Sequence, residues 1–209
     1  MLTRRRAGFG IAVVLSGMAL VPLIVTRIES LQARTNERLS LLATPALRSR
    51  RRVAVVYFSR SGNTALLARH LAWRLGASLF TLQASDYELG LPGWVNAMRD
   101  AGKHEASLSP QAVDLSEHDA VYLGSPIWMF SPAPPIWQLV EQNRFDGKDV
   151  VLFNTFNSRF KQEFIDSFRE KILQRGARSF RHQFVRRGRM PWQLSPDDML
   201  EAFDSKWVK

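Results

Sequence analysis

Residues 53–71 read VAVVYFSRSGNTALLARHL, an apolar run, a hydroxyl-rich turn and then an amphipathic stretch. The run Val53–Phe58 is apolar throughout and predicts a strand that is covered on both faces. Leucines spaced four residues apart after the turn predict a helix with one face towards the core. Between the two lies SRSGNT, Ser59–Thr64, whose glycine allows backbone N–H groups to turn inward at the positive end of the helix. A turn of this kind is suited to hold a phosphate group.

The turn lacks the established polyphosphate patterns. Neither GxxxxGK[ST], which binds nucleoside triphosphates, nor GxGxxG, which binds dinucleotides, occurs in it. The hydroxyls of Ser59, Ser61 and Thr64 are donors that a phosphomonoester would use, and Asn63 adds an amide. An ordinary strand-to-helix turn, in which serine and threonine cap the helix, has the same pattern. The turn therefore favours a phosphomonoester site and leaves the capping interpretation open.

Downstream of the turn, strand-length apolar runs alternate with helix-length amphipathic stretches, an order typical of parallel strands joined by crossover helices. The fold class predicted is α/β, a doubly wound five-stranded parallel sheet in one domain over 53–209. The expected strands are Val53–Phe58, Ser78–Leu82, Ala120–Gly124, Val150–Phe156 and Ser179–Val185, with helices over Thr64–Leu75, Trp94–Lys103, Pro135–Gln142 and Phe160–Leu173 and a helix start at Ser195. The last strand alternates with charged residues and is expected at an edge.

Charge and composition limit the function classes. The chain has 209 residues and a formal charge of +10, but residues 1–52 hold ten arginines against Glu29 and Glu37 and carry +8 of it. The remaining +2 gives the domain no strong basic patch, so nucleic acid is not an expected partner. The absence of cysteine excludes disulfides, thiolate catalysis and cysteine-ligated metals.

The N-terminal segment contains a stretch without charge over residues 7–26. Twenty helical residues reach about 30 Å, the thickness of a bilayer core. We therefore expect a membrane anchor over 1–28, a basic tether over 29–52 and a single-pass protein of the inner membrane, with the lipid bilayer as a partner. Arginines flank the stretch on both sides and leave the orientation undecided, although the supply of electron donors favours a cytoplasmic domain. A cleaved signal peptide is the alternative.

Two further loops should meet the turn, because ligands of doubly wound sheets bind at the carboxyl ends of the strands where the strand order reverses. The loop after the third strand, Gly124–Trp137, combines proline with Trp128 and predicts an aromatic wall. The loop after the fourth strand, Asn154–Phe160, offers amide and hydroxyl groups beside Phe156. Packing within the domain is the alternative role for both aromatic residues. Together the loops predict a phosphate cup beside a flat aromatic slot.

The segments YFSRSGNT, LGSPIWMFSPAPP and VVLFNTFNSRF resemble the FMN-binding loops of the flavodoxin-like superfamily, which includes flavodoxins and NAD(P)H:quinone oxidoreductases. More narrowly, the second and third resemble membrane-tethered flavodoxin-like proteins labelled dialkylresorcinol condensing enzymes, although no acyl-condensing nucleophile is visible here. The resemblance implies FMN as the cofactor. It assigns the phosphate to Ser59, Ser61, Gly62, Asn63 and Thr64, with Arg60 either pairing with it or pointing outward, the flavin ring to Pro126, Ile127 and Trp128, and the pyrimidine side of the ring to Asn154, Thr155, Phe156 and Asn157.

The function implied is a membrane-anchored FMN-dependent oxidoreductase that passes electrons from NAD(P)H to a quinone or a membrane partner. Because a bound flavin carries the redox chemistry, no side chain is assigned as catalytic and no metal is expected. An electron carrier without its own nicotinamide site is a second hypothesis, and a flavodoxin-shaped scaffold without flavin is the alternative. A cluster of basic residues near the fifth strand suits an acidic redox partner, a nicotinamide phosphate, a lipid head group or a solvated strand edge. Its members are Arg178, Arg181, Arg186, Arg187 and Arg189.

Overall fold

The structure is a computed structural model that describes residues 3–42, 52–189 and 192–207, with side chains over 20–39, 52–189 and 192–206. Residues 43–51 of the expected tether lie outside the described residues.

A parallel sheet forms the centre of the domain, as the sequence predicts. Its strands are β1 Val53–Phe58, β2 Ser78–Leu82, β3 Ala120–Trp128, β4 Ser131–Pro132, β5 Asp149–Phe156 and β6 Ser179–Arg186. Five of them run in the order β2-β1-β3-β5-β6, and the short strand β4 pairs with β3 outside this path. β1 and β5 are buried almost throughout, because helices cover both faces of the sheet.

Two helical layers enclose the sheet. The helices are α1 Thr3–Leu42, α2 Asn63–Leu75, α3 Leu91–Asp100, α4 Pro134–Gln142, α5 Gln162–Gln174 and α6 Pro196–Trp207, with a short 3₁₀ helix at Ser85–Tyr87. Buried residues of α2 and α6 pack with Val55, Tyr57 and Phe153 on one face, whereas α3, α4 and α5 pack with Ala54 and Val56 on the other. Adjacent residues of β1 thus point to opposite faces, as the pleat requires.

The sheet has one strand more than the five expected. β3 continues past Gly124 to Trp128, and the chain then reverses at Met129 and Phe130, whose φ angles of 44° and 79° are positive. The reversal pairs Ile127 with Pro132 in an antiparallel hairpin. A turn with left-handed non-glycine residues has no clear sequence signature, which is why β4 was not expected.

The expected membrane span over 7–26 falls within helix α1, which continues without interruption to Leu42. Among the residues whose side chains the structure describes, which in α1 begin at Leu20, no helix has the length and the apolar character that a bilayer crossing requires. The predictions of a transmembrane helix and of an inner-membrane location are therefore wrong. Side chains of α1 are described only from Leu20, and from there the helix includes Arg27 and Glu29 and places polar groups against the domain.

Trp137 of α4 holds the start of this helix against the hairpin. Its side chain is 1% exposed, and its Nε1 donates to Ser131 Oγ at 3.2 Å and to the Pro132 carbonyl at 3.1 Å. Its ring meets the Phe168 ring edge-on at 4.8 Å. The side chain therefore contributes both core packing and a link to the loop after β3.

We expect Trp137→Ala to lower the free energy of unfolding by about 3–5 kcal/mol, because it removes a buried aromatic ring and leaves a cavity. Trp192→Ala is the matched control, since Trp192 is 85% exposed, and should change stability by less than about 0.5 kcal/mol. Urea unfolding measures both values. A loss of stability in Trp137→Ala as small as that in Trp192→Ala would contradict the prediction.

His182 links the edge strand β6 to β5. Asn154 Nδ2 donates to the Ser125 carbonyl at 2.8 Å, so Asn154 Oδ1 faces His182 and accepts from its Nε2 at 2.8 Å. Phe160 and Phe184 pack against the imidazole. Desolvation by this burial lowers the pKa of His182 to about 4. The imidazole is therefore neutral at pH 7 and serves packing.

The lowered pKa predicts a pH dependence of stability. Between the unfolded pKa near 6.5 and the folded pKa of about 4, the unfolded chain binds more protons at His182, so stability falls as pH falls. Across this window, wild-type protein should lose about 1–3 kcal/mol more than His182→Gln, which has no imidazole to protonate. Urea unfolding at pH 7, 6, 5 and 4 compares them. Parallel stability curves would contradict the prediction.

Candidate functional site

The turn Ser59–Thr64 connects β1 to the amino terminus of α2. Gly62 has a φ of 83° and precedes the helix without any side chain to cap it. The first-turn N–H groups of α2 therefore lie at the positive end of the helix with no capping side chain from Gly62. A Cβ at Gly62 would lie 2.9 Å from Asn36 Cβ, so the position is restricted both by its conformation and by its neighbour.

Residues outside the turn brace it from behind. Asn36 of α1 donates from Nδ2 to the Ser61 carbonyl at 3.1 Å and to Asn63 Oδ1 at 2.9 Å. Arg187 Nη1 donates to the same Asn63 oxygen. The amide oxygen of Asn63 is thus used to hold the turn. Asn36 is 25 positions away from Ser61 in the sequence and belongs to no recognisable motif, so the sequence alone did not identify its role.

Thr64 joins the turn to the carboxyl end of β5. Its side chain is buried, and its Oγ1 lies 2.8 Å from Thr155 Oγ1, with one hydroxyl donating to the other. The two residues are separated by 91 positions. This contact holds two of the three expected loops together at the carboxyl edge of the sheet.

The aromatic wall stands at the end of β3. Trp128 is partly buried and meets the rings of Tyr87 and Phe58 edge-on, with centroid distances of 5.2 and 5.6 Å. The hairpin turn beyond it places Phe130 under the guanidinium of Arg159, whose Cζ is 5.2 Å from the ring centroid. These contacts hold the side chains of Trp128 and Phe130 in place without a bound ligand.

The three loops surround one cavity of about 350 Å³. Asn154 does not line it, because its amide is used within the sheet by Ser125 and His182, and neither does Gly62. The other expected residues do line it: Ser59, Arg60, Ser61, Asn63, Thr64, Pro126, Ile127, Trp128, Thr155, Phe156 and Asn157. Sequence reasoning missed further lining residues, namely Glu29, Met129, Phe130, Ser158, Arg159 and Arg189.

The charge around this cavity is mainly positive. Arg60, Arg159 and Arg189 line it, whereas Glu29 is the one carboxylate among its described lining residues. Arg189 Nη2 donates to Ser158 Oγ at 2.6 Å. Behind the turn, burial lowers the pKa of Arg187. The lining therefore favours an anionic ligand, and in particular a phosphate dianion.

A larger cavity of about 520 Å³ lies at the carboxyl ends of β1 and β2, on the other side of Arg60. It is bounded by the segments 81–89 and 107–109 and does not include the loops after β3 and β5. The smaller cavity is the candidate site, because it alone of the two lies where the strand order reverses and where the phosphate turn meets the aromatic wall.

Solved structures share this fold. A candidate flavoprotein from Bacteroides uniformis ATCC 8492 is similar with a TM-score of 0.58 and 20% identity, covering 74% of this chain and 98% of its own. A flavoprotein from Lactobacillus acidophilus NCFM in complex with FMN is similar with a TM-score of 0.51 and 19% identity, covering 76% of this chain and 99% of its own. At these identities the likeness shows the fold alone. No curated protein is detectably similar to the chain.

The family model described as Flavodoxin matches residues 52–174, more than half of the 209-residue chain. The match covers all three loops of the cavity. The narrower resemblance to proteins labelled dialkylresorcinol condensing enzymes is not confirmed by these comparisons. The family and the FMN-complexed neighbour support FMN as the cofactor. On the strength of its fold and of this match, the chain belongs to the flavodoxin family.

Proposed function

We propose that the chain binds FMN in the 350 Å³ cavity and acts as an FMN-dependent oxidoreductase, passing electrons from a nicotinamide donor to a quinone or a protein partner. The observation that carries the proposal is the meeting of a phosphate turn, an aromatic wall and a polar loop around one cationic cavity. Membership of the flavodoxin family and the FMN complex of a structural neighbour support it.

The phosphate end of FMN fits the turn Ser59–Thr64. The uncapped amino terminus of α2 offers backbone donors, and the hydroxyls of Ser59 and Ser61 line the cavity beside them. Arg60 and Arg189 supply positive charge. A neutral sugar or an apolar ligand would leave Arg189, which contacts the neutral hydroxyl of Ser158, without an anionic partner, so the donor set favours a phosphate.

The ring end fits the loops after β3 and β5. Pro126, Ile127 and Trp128 form one wall of the cavity, and Phe156 and Asn157 form another. A flat ring with polar edges fits between these walls, because the apolar side chains exclude water from its faces and the amide of Asn157 offers hydrogen bonds to its edge. FMN, when bound, supplies the redox chemistry. The residues of the cavity orient it, shield it and stabilise negative charge near it.

A second candidate function is that of an electron carrier that docks an acidic protein. Arg181 and Arg186 are exposed on the edge strand β6, and Arg189 is exposed where that strand leads to the cavity. Exposed positive charge accelerates association with an acidic partner. Arg178 contributes less to this surface, because it pairs with Asp149.

Absorption spectra and turnover distinguish these functions. Purified full-length protein should be yellow, NADPH should bleach its flavin absorption, and menadione should restore it with continuous NADPH consumption. A yellow protein that NADPH does not reduce, but that a separate reductase does, would favour the carrier. A protein that neither retains nor binds added FMN would contradict both functions and favour a flavodoxin-shaped scaffold.

Gly62→Asp should weaken FMN binding about tenfold or more, because it adds a negative charge to the phosphate turn and forces a side chain against Asn36 at a position with left-handed backbone. Gly102→Asp is the control, since Gly102 also has a positive φ but has no atom within 4 Å of the added Cβ and does not line the cavity. Quenching of flavin fluorescence measures the dissociation constants. Equal affinities in the two variants would remove the turn from the cofactor site.

A further inference from the structure

Helix α1 brings a carboxylate into the cofactor cavity. Glu29 lines the 350 Å³ cavity and forms an ion pair with Arg60 of the phosphate turn. Its residue number places it outside 52–174, the segment that the family model matches. A part of the chain beyond the family match therefore contributes a charged group to the site.

Asn36, two helical turns further along α1, anchors the helix to the same phosphate turn. Residues seven positions apart lie on the same face of a helix, so Asn36 and Glu29 approach the turn together. Asn36 is 1% exposed and donates to the Ser61 carbonyl and to Asn63 Oδ1. The position of Glu29 is thus fixed by packing of α1 against the domain.

Arg60 depends on Glu29 for its charge partner. The Arg60 side chain is 4% exposed, one of its terminal nitrogens donates to the Gly90 carbonyl at 3.1 Å, and its Nε is buried without a hydrogen-bond partner. A buried guanidinium is strongly stabilised by a carboxylate. Glu29 carries the one negative charge among the described residues that line the cavity, so its carboxylate neutralises the cation of the turn.

A phosphate bound in the turn would meet this ion pair directly, because Arg60 is a residue of the turn itself. Two anions would then share one buried cation, and the two anions would repel each other. The other cations that line the cavity have contacts of their own: Arg159 lies over the Phe130 ring, and Arg189 donates to Ser158.

We propose that Glu29 competes with the cofactor phosphate for Arg60, so that α1 lowers the affinity of the cavity for phosphorylated flavin. The inference rests on the proposed function, since it assumes that the cavity takes FMN. Glu29 is then a specificity-determining residue, because it weakens the binding of FMN but not that of riboflavin, which has the same ring and ribityl chain and no phosphate. Removing the negative charge of Glu29 should therefore increase the preference of the cavity for FMN over riboflavin.

The test compares the apo forms of the full-length wild type and of Glu29→Gln, each titrated with FMN and with riboflavin and followed by quenching of flavin fluorescence. Glutamine keeps a hydrogen-bonding group beside Arg60 but removes the charge. Glu29→Gln should bind FMN about tenfold more tightly than wild type at low salt. Its riboflavin affinity should equal that of wild type, which also verifies that the variant is folded.

Glu37→Gln is the matched control. Glu37 lies on the same helix, is exposed and does not line the cavity, so this variant makes the same change in net charge without altering the site. Its FMN affinity should equal that of wild type. Equal strengthening in both variants would show an effect of overall charge and would overturn the inference.

The outcomes separate the inference from the proposed function. If wild-type protein binds FMN and Glu29→Gln binds it equally or more weakly, the competition is overturned and the proposed function stands. If neither protein binds FMN, the proposed function fails and the inference falls with it. If both flavins bind more tightly to Glu29→Gln, the carboxylate acts on the ring side of the site and the competition for Arg60 is overturned.

Discussion

Close approach of the three central strands at Gly124 is the constraint on which the site depends. A Cβ at this position would lie 2.4 Å from the Phe153 ring and 2.8 Å from Tyr57 Cβ, so no larger residue fits without movement of β1 or β5. The register pairs Gly124 with Tyr57 on one side and with Phe153 on the other. This register brings the carboxyl ends of the three strands to one edge of the sheet, where the loops that follow them form the walls of one cavity.

Hydrogen bonds hold the lining of the cavity in place, and its charge is mainly positive. The phosphate turn is held by the hydroxyl contact between Thr64 and Thr155 and by the hydrogen bond that Asn63 accepts from Asn36. The cations at the cavity are arginines, whose planar guanidinium groups suit phosphate recognition. The only described acid in the lining comes from α1, a helix outside the matched family segment. The domain core thus builds the site, and the added helix adjusts its charge.

Local patterns predicted most of the fold. The bounds of β1 and β2 agree with the predicted ones, because continuous apolar runs between turn residues are a local signal. α3 begins at Leu91, three residues earlier than expected, since Gly90 and Pro92 mark its start more strongly than the apolar spacing that was used. The apolar content of residues 7–26 suggested a membrane span, whereas α1 continues as one helix to Leu42 and packs on the domain.

By itself, the sequence determined the α/β class, the parallel sheet and the three loops of the candidate site, because each depends on residues that are neighbours in the chain. Tertiary structure alone decided which groups meet there. The resemblance assigned Asn154 to the pyrimidine side of the flavin, yet its amide is used by Ser125 and His182 inside the sheet. Glu29 and Asn36 reach the phosphate turn from 25 or more residues away. Such contacts arise from packing between distant segments, which no local pattern records.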